Sequence, residues 1–144
     1  MSGAERRESA PSCSCESSEI LLFPCSGGSN VGQIANAVAV RLTRDGQAKM
    51  FCLAGLGGDL KKMIESTRSA DVRVAIDGCP VGCAAATLRR HGLEPEVALV
   101  VTELGIEKNN NFDLQSEHLD QVREALAASI WDHFAKQRSP SVQK

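Results

Sequence analysis

The sequence has no tyrosine, one tryptophan and four phenylalanines. Stacking platforms for bases or sugars are therefore largely excluded. The core has to be built from Val, Leu, Ile, Ala and Met. Runs of like charge are missing too. Sixteen Lys and Arg stand against eighteen Asp and Glu, for a formal net charge of −2. That leaves no electrostatic footprint for nucleic acid or for an anionic membrane. No apolar run approaches the roughly 20 residues of a membrane span. The polar start, MSGAERRESAPSCSCESSE, lacks the apolar stretch of a secretory signal. A cytoplasmic protein is expected.

What is present is an ordinary globular composition, 42% hydrophobic and 24% charged, in 144 residues. That length supports one domain with a real core. Residues 1–18 read as a flexible tail and residues 138–144 as another, leaving a single α/β domain over 19–137. There are also six cysteines. Thiols stay reduced in the cytoplasm, so six of them point to metal binding or redox chemistry more than to a disulfide scaffold.

Strand and helix signals alternate between the tails. Ile20-Leu21-Leu22-Phe23 is a continuous apolar run, as expected of a strand buried on both faces of a parallel sheet. Pro24, Cys25 and a Gly/Ser turn follow. Val31, Ile34, Ala35, Val38 and Leu42 then recur at helical spacing. Ser29 or Asn30 can cap that helix, and Asp45-Gly46 can end it. Residues 48–53 predict a second strand with a glycine-rich turn after it. Leu60, Met63 and Ile64 mark a short helix, and residues 72–76 a third strand. A third helix runs from about Cys83 to Arg90, and residues 97–101 give a fourth strand. Leu119, Val122, Leu126, Ile130 and Phe134 trace a long last helix. This βα alternation predicts a three-layer open sheet of about four parallel strands, flavodoxin-like or Rossmann-like.

Sites in such folds form beyond the carboxyl ends of the strands. Cys25 follows the first strand, Cys52 lies near the end of the second, and Cys79 follows the third. Cys83 opens the next helix. All four fall on one edge. Zinc holds four thiolates at about 2.3 Å, with sulfurs roughly 3.8 Å apart. Neighbouring strands about 4.8 Å apart can supply such ligands, provided the first strand lies between the second and third. A metal site therefore predicts strand order 2-1-3-4. Order 1-2-3 would separate Cys25 from Cys79 by about 9.6 Å and count against it. Helix N-termini at this edge favour the negative charge of thiolates.

Other features are weaker. Cys13-Ser14-Cys15 is a separate tail pair, either inert or able to clip a soft metal. The turn after Cys25 resembles the Cys-x5-Arg loop of small phosphatases and arsenate reductases, but Val31 stands where arginine is required. Gly27 and Gly28 are then simply the makings of a tight turn. Glu103, Glu107 and Lys108 follow the fourth strand, either as outer partners of the cysteines or as a solvated loop. His91, His118 and His133 are read as surface residues. Asp77 is either a turn residue or an acceptor for the Cys79 loop.

The segments PCSGGSNVGQIAN, MFCLAGLGG, IDGCPVGCA and VVTELGIEKN occur in that order. Together they resemble the DGC domain, a small prokaryotic family named for its Asp-Gly-Cys motif, here Asp77-Gly78-Cys79. The likeness covers about residues 20 to 125. It implies zinc bound by four cysteines, by position Cys25, Cys52, Cys79 and Cys83, and it implies no particular reaction. The expectation is a zinc-binding protein in a structural, storage, sensing or transfer role. A thiol-disulfide protein using Cys79 and Cys83, or an iron–sulfur protein, are the alternatives.

Overall fold

A computed structural model describes residues 18–139. Cys13 and Cys15 lie outside the described residues.

The first strand, β1, is Ile20–Pro24, and its apolar run is buried from Leu21 to Pro24. Helix α1 spans Asn30–Arg44. Ser29 caps it by accepting a hydrogen bond from the Gly32 N–H at 3.2 Å, and Asp45 and Gly46 close its end. Strand β2 is only Lys49–Met50. Helix α2, Leu53–Gly57, follows at once, then α3, Lys61–Ser69. Strand β3 is Val72–Asp77, α4 is Cys83–Arg90, and β4 is Val97–Val100. A 3₁₀ turn at Val101–Leu104 follows, and helix α5, Ser116–Arg138, is the last element among the described residues.

The four strands run parallel in the order β2-β1-β3-β4. Strand alternation sorts the side chains onto two faces. On one face Leu22, Val74, Ile76 and Leu99 meet Val31, Ile34 and Val38 of α1 and Leu119, Val122 and Leu126 of α5. On the other, Leu21, Phe23 and Ala75 meet Leu56 of α2 and Ala84, Ala85 and Leu88 of α4. The result is three layers, with a core on each side of the sheet. This is the doubly wound architecture that the alternating pattern predicts.

The second strand is shorter than its sequence suggests. The expected strand over 48–53 contracts to two residues, and the glycine-rich stretch after it forms a turn of helix. Tertiary packing accounts for this. Leu56 is fully buried in the α4-side core, and the Phe51 ring meets Phe23 edge-on at 5.8 Å. Winding the chain immediately after Phe51 is what brings Leu56 inward.

Candidate metal and thiol site

The carboxyl edge of the sheet collects the four core cysteines on separate pieces of backbone. Cys25 follows β1, and its N–H donates to the Ile76 carbonyl at 2.8 Å, extending the β1–β3 ladder by one step. Its sulfur accepts from the Gly27 N–H at 3.4 Å. Cys79 follows β3 and opens a tight turn in which the Gly82 N–H donates to its carbonyl at 3.1 Å. Gly82 takes φ +69°, a left-handed conformation that glycine adopts without strain. Cys83 is the first residue of α4. Cys52 is the residue before α2. All four are free thiols, Cys25 and Cys79 half-buried, Cys52 and Cys83 exposed.

Two neighbouring groups organise this edge. Asp77, the last residue of β3, is buried. Its carboxylate accepts from the N–H groups of Ala84 at 2.7 Å and Ala85 at 3.2 Å. It thus caps α4 from a distance, where a negative charge also suits the helix dipole. The second is Asn30, also buried. Its side-chain amide donates to the Glu107 carbonyl at 2.8 Å and accepts from the Asn109 N–H at 2.7 Å. That clamp holds the loop after the 3₁₀ turn against the start of α1. It brings the Lys108 ammonium to 3.5 Å from the Cys79 sulfur. Glu103 and Glu107 lie exposed on the same segment.

These contacts revise the electrostatics expected of the edge. The N–H groups of Ala84 and Ala85 at the start of α4 go to Asp77. At the start of α1, the Asn30 N–H goes to the Asn109 carbonyl at 3.0 Å, and the Gly32 N–H goes to Ser29. The protein's own groups take up much of what looked like an anion cradle. This agrees with reading the Gly27-Gly28 stretch as a turn.

The donor chemistry suits a soft metal. Four free thiols are gathered beyond the ends of β2, β1 and β3. As the side chains stand, however, no group of three or more His, Cys, Asp or Glu among the described residues is close enough to hold an ion. Cysteine rotamers and loop backbone have to adjust for all four sulfurs to meet. Any ion would draw on Cys25, Cys52, Cys79 and Cys83, with Lys108 as a neighbouring positive charge.

The histidines divide. His118 and His133 are half-exposed on α5. His91, expected on the surface, is instead tucked in, with 11% of its side chain exposed. Its Nε2 lies 2.7 Å from the Leu56 carbonyl. Asp59 sits 3.6 Å from the same nitrogen and 2.9 Å from Arg90. These contacts tie the end of α4 to the α2 segment that carries Cys52. His91 looks like a helix-end residue in sequence, and its partner is a backbone carbonyl 35 positions away, which no local signal marks.

A doubly wound sheet with a cysteine-bearing carboxyl edge defines the class. The chain belongs to the DGC domain family, whose pattern it matches over residues 21–126. It is 38% identical, over 102 residues, to the anaerobic and virulence modulator AnvM of Pseudomonas aeruginosa. That match covers 71% of this chain and 78% of the relative. No solved structure matches the chain. No helix among the described residues is long and apolar enough to cross a membrane.

Proposed function

We propose that this protein binds zinc through the thiolates of Cys25, Cys52, Cys79 and Cys83, and that it senses, stores or passes on the metal in the cytoplasm. The observation that carries this reading is the strand order β2-β1-β3-β4. It sets the three cysteine-bearing strand ends side by side, as a shared ion requires. The exposure of Cys52 and Cys83 favours exchange over a purely structural role. So does the core: both faces of the sheet are filled mainly by aliphatic side chains, with Cys25 and Cys79 only at the margin of one of them. The name of the Pseudomonas relative, a modulator, is in keeping with a regulatory role.

Purification in reducing, oxygen-free buffer, followed by metal analysis and thiol counting before and after chelation, tests this. About one zinc per chain, with four thiols released by chelation, is the expected result. The folded signal should survive chelation at reduced stability, whereas complete unfolding would make the metal structural. Iron with sulfide would move the protein to the cluster class.

One observation favours a second reading. Lys108 stands on the Cys79 sulfur, and Cys83 lies exposed one tight turn away. In that reading the Cys79 thiolate attacks a partner's disulfide and releases one partner thiol. Cys83 then displaces the second, leaving a Cys79–Cys83 disulfide. Metal-free protein with a reversible two-electron couple would establish it.

A further inference from the structure

Helix α5 is longer than its neighbour in the same layer, 23 residues against 15 in α1. Its inner face sends Leu119, Val122 and Leu126 into the core. Two surface ion pairs, Arg41–Asp120 and Asp45–Arg123, tie the end of α1 to the first half of α5. Beyond that tie, Leu42 and Ala48 form a shallow, mostly apolar groove with Ala127, Ile130, Trp131 and Phe134 of α5. Trp131, the one tryptophan of the chain, is 67% exposed there.

The groove lies on a longer stripe. Asp120, Glu124, Ala127, Trp131, Phe134 and Arg138 follow one another at alternating steps of four and three residues, so they share one face of the helix. All but Phe134 are exposed. The stripe is acidic at its start, apolar in its middle and basic at its end. Turned end for end, such a stripe is complementary to itself, as a twofold contact requires. The spacing matches as well. Asp120 stands one heptad before Ala127 and Arg138 one heptad after Trp131, about 10.5 Å along the axis in each case at roughly 1.5 Å per residue. Seating Trp131 of one copy on the small Ala127 of another therefore sets Arg138 opposite Asp120, with Glu124 one turn away. Among the described residues, Glu124 and Arg138 make no ion pair within the chain. Residues 1–17 and 140–144 offer the groove little: they carry no aromatic and, Val142 apart, no branched aliphatic side chain.

We propose that two copies of this chain pair through this face, their α5 helices antiparallel, with Trp131 of each copy packed on Ala127 of the other and Arg138 set against Asp120. The contact stands apart from the zinc reading. Ala48 leads into β2, so the groove lies toward the amino ends of the strands, away from the cysteines at their carboxyl ends. A dimer formed this way leaves both cysteine edges open.

The whole 144-residue chain is tested, reduced and with a chelator, so that neither disulfides nor a shared metal can join two copies. Analytical ultracentrifugation should find a monomer–dimer equilibrium, and Trp131 emission should move to shorter wavelength as the dimer forms. Trp131→Glu should weaken association at least about tenfold, with an unchanged circular dichroism spectrum because the side chain lies outside the core. Charge reversal then reads the register. Arg138→Asp and Asp120→Arg should each weaken association when alone. An equimolar mixture of the two variants should pair again, because both contacts in the mixed dimer join opposite charges. A monomer at every concentration overturns the proposal and leaves the face to a different protein. A dimer that Trp131→Glu does not weaken lies on another surface and overturns it too. A mixture that fails to pair overturns the antiparallel arrangement.

Discussion

The carboxylate of Asp77 stands 2.7 Å from the backbone nitrogen of Ala84, across seven residues of chain and a tight turn. Both cysteines of the Cys79–Cys83 turn are set by this bond, because both lie within the segment it closes. Asp77→Ala would leave the Ala84 and Ala85 N–H groups without their acceptor in a buried place. A loss of about 2 kcal/mol is expected, combining a lost cap with unmet buried donors. Asp77→Asn keeps one acceptor oxygen but turns an amide NH₂ toward the second donor, so an intermediate loss is expected. Urea denaturation of the reduced, metal-free protein measures both and separates capping from any metal effect.

Gly78 and Gly57 make opposite predictions for the same substitution. A methyl at Gly78 would meet backbone atoms of α1 that cannot rotate away. Gly78→Ala is expected to cost about 2 kcal/mol or more. At Gly57, the last residue of α2, an added Cβ meets nothing within 4 Å. Gly57→Ala should stabilise by roughly 0.5 to 1 kcal/mol through helix propensity and a stiffer unfolded chain. Thermal melts of the two variants side by side check the contrast. Equal effects would mean that close approach is not what Gly78 provides.

The broad layout was legible from periodicity and from where the cysteines fell. Apolar runs gave the strands, and the need to bring Cys25 between Cys52 and Cys79 gave the strand order. The details that escaped are those set by distant partners. The stretch Leu53–Gly57 contains two glycines, poor helix formers, and burial of Leu56 makes it helical regardless. Asn30 has the look of a helix cap, yet Ser29 does the capping. Asn30 instead clamps residues 77 and 79 positions away. Asp77 reads in sequence as a turn residue or as an acceptor for the Cys79 loop, and only the folded position of α4 shows that its partners are the Ala84 and Ala85 N–H groups. Lys108 was one of three charged candidates on its loop, and only the folded loop shows that it is the one beside a cysteine.

His91→Ala should loosen α2 more than the fold as a whole. The ring nitrogen 2.7 Å from the Leu56 carbonyl is largely shielded from water. Its loss is expected to cost about 1 to 2 kcal/mol. Hydrogen exchange should rise around residues 53–58 while β1 and β3 stay protected. A uniform rise across the domain would show that His91 supports the global core rather than the α2 segment.

The end of α4 carries a pH-dependent surface pair. Arg89 donates hydrogen bonds to both oxygens of Glu94. These hydrogen bonds, joined by the guanidinium charge, hold Glu94 below the ordinary carboxylate value and outweigh a slight desolvation. A carboxylate with a lowered folded-state pKa stabilises above its unfolded-state pKa. That stabilisation fades as pH falls through the folded value. NMR titration should find Glu94 titrating below an unpaired surface glutamate. Glu94→Gln should remove that part of the acid-side loss. Since both side chains are exposed, added salt should shrink the difference.

Lys108 offers a way to read the charge around Cys79 without any metal. Its ammonium lies 3.5 Å from the sulfur, on a loop held down by Asn30. A fixed positive charge there should draw an anionic alkylating reagent to Cys79 more than a neutral one. Iodoacetate and iodoacetamide both react with the thiolate, so the ratio of their rates cancels the thiolate fraction and reports the local field. Lys108→Met should lower that ratio at Cys79 by about two- to fivefold at low salt, the size expected of one partly screened charge at contact distance. Cys52, on the other side of the edge, should show little change. Asn30→Ala should reproduce part of the Cys79 effect, because it frees the loop while leaving the lysine in the chain. An unchanged ratio in Lys108→Met would mean that the ammonium points into solvent and contributes nothing to the chemistry of Cys79.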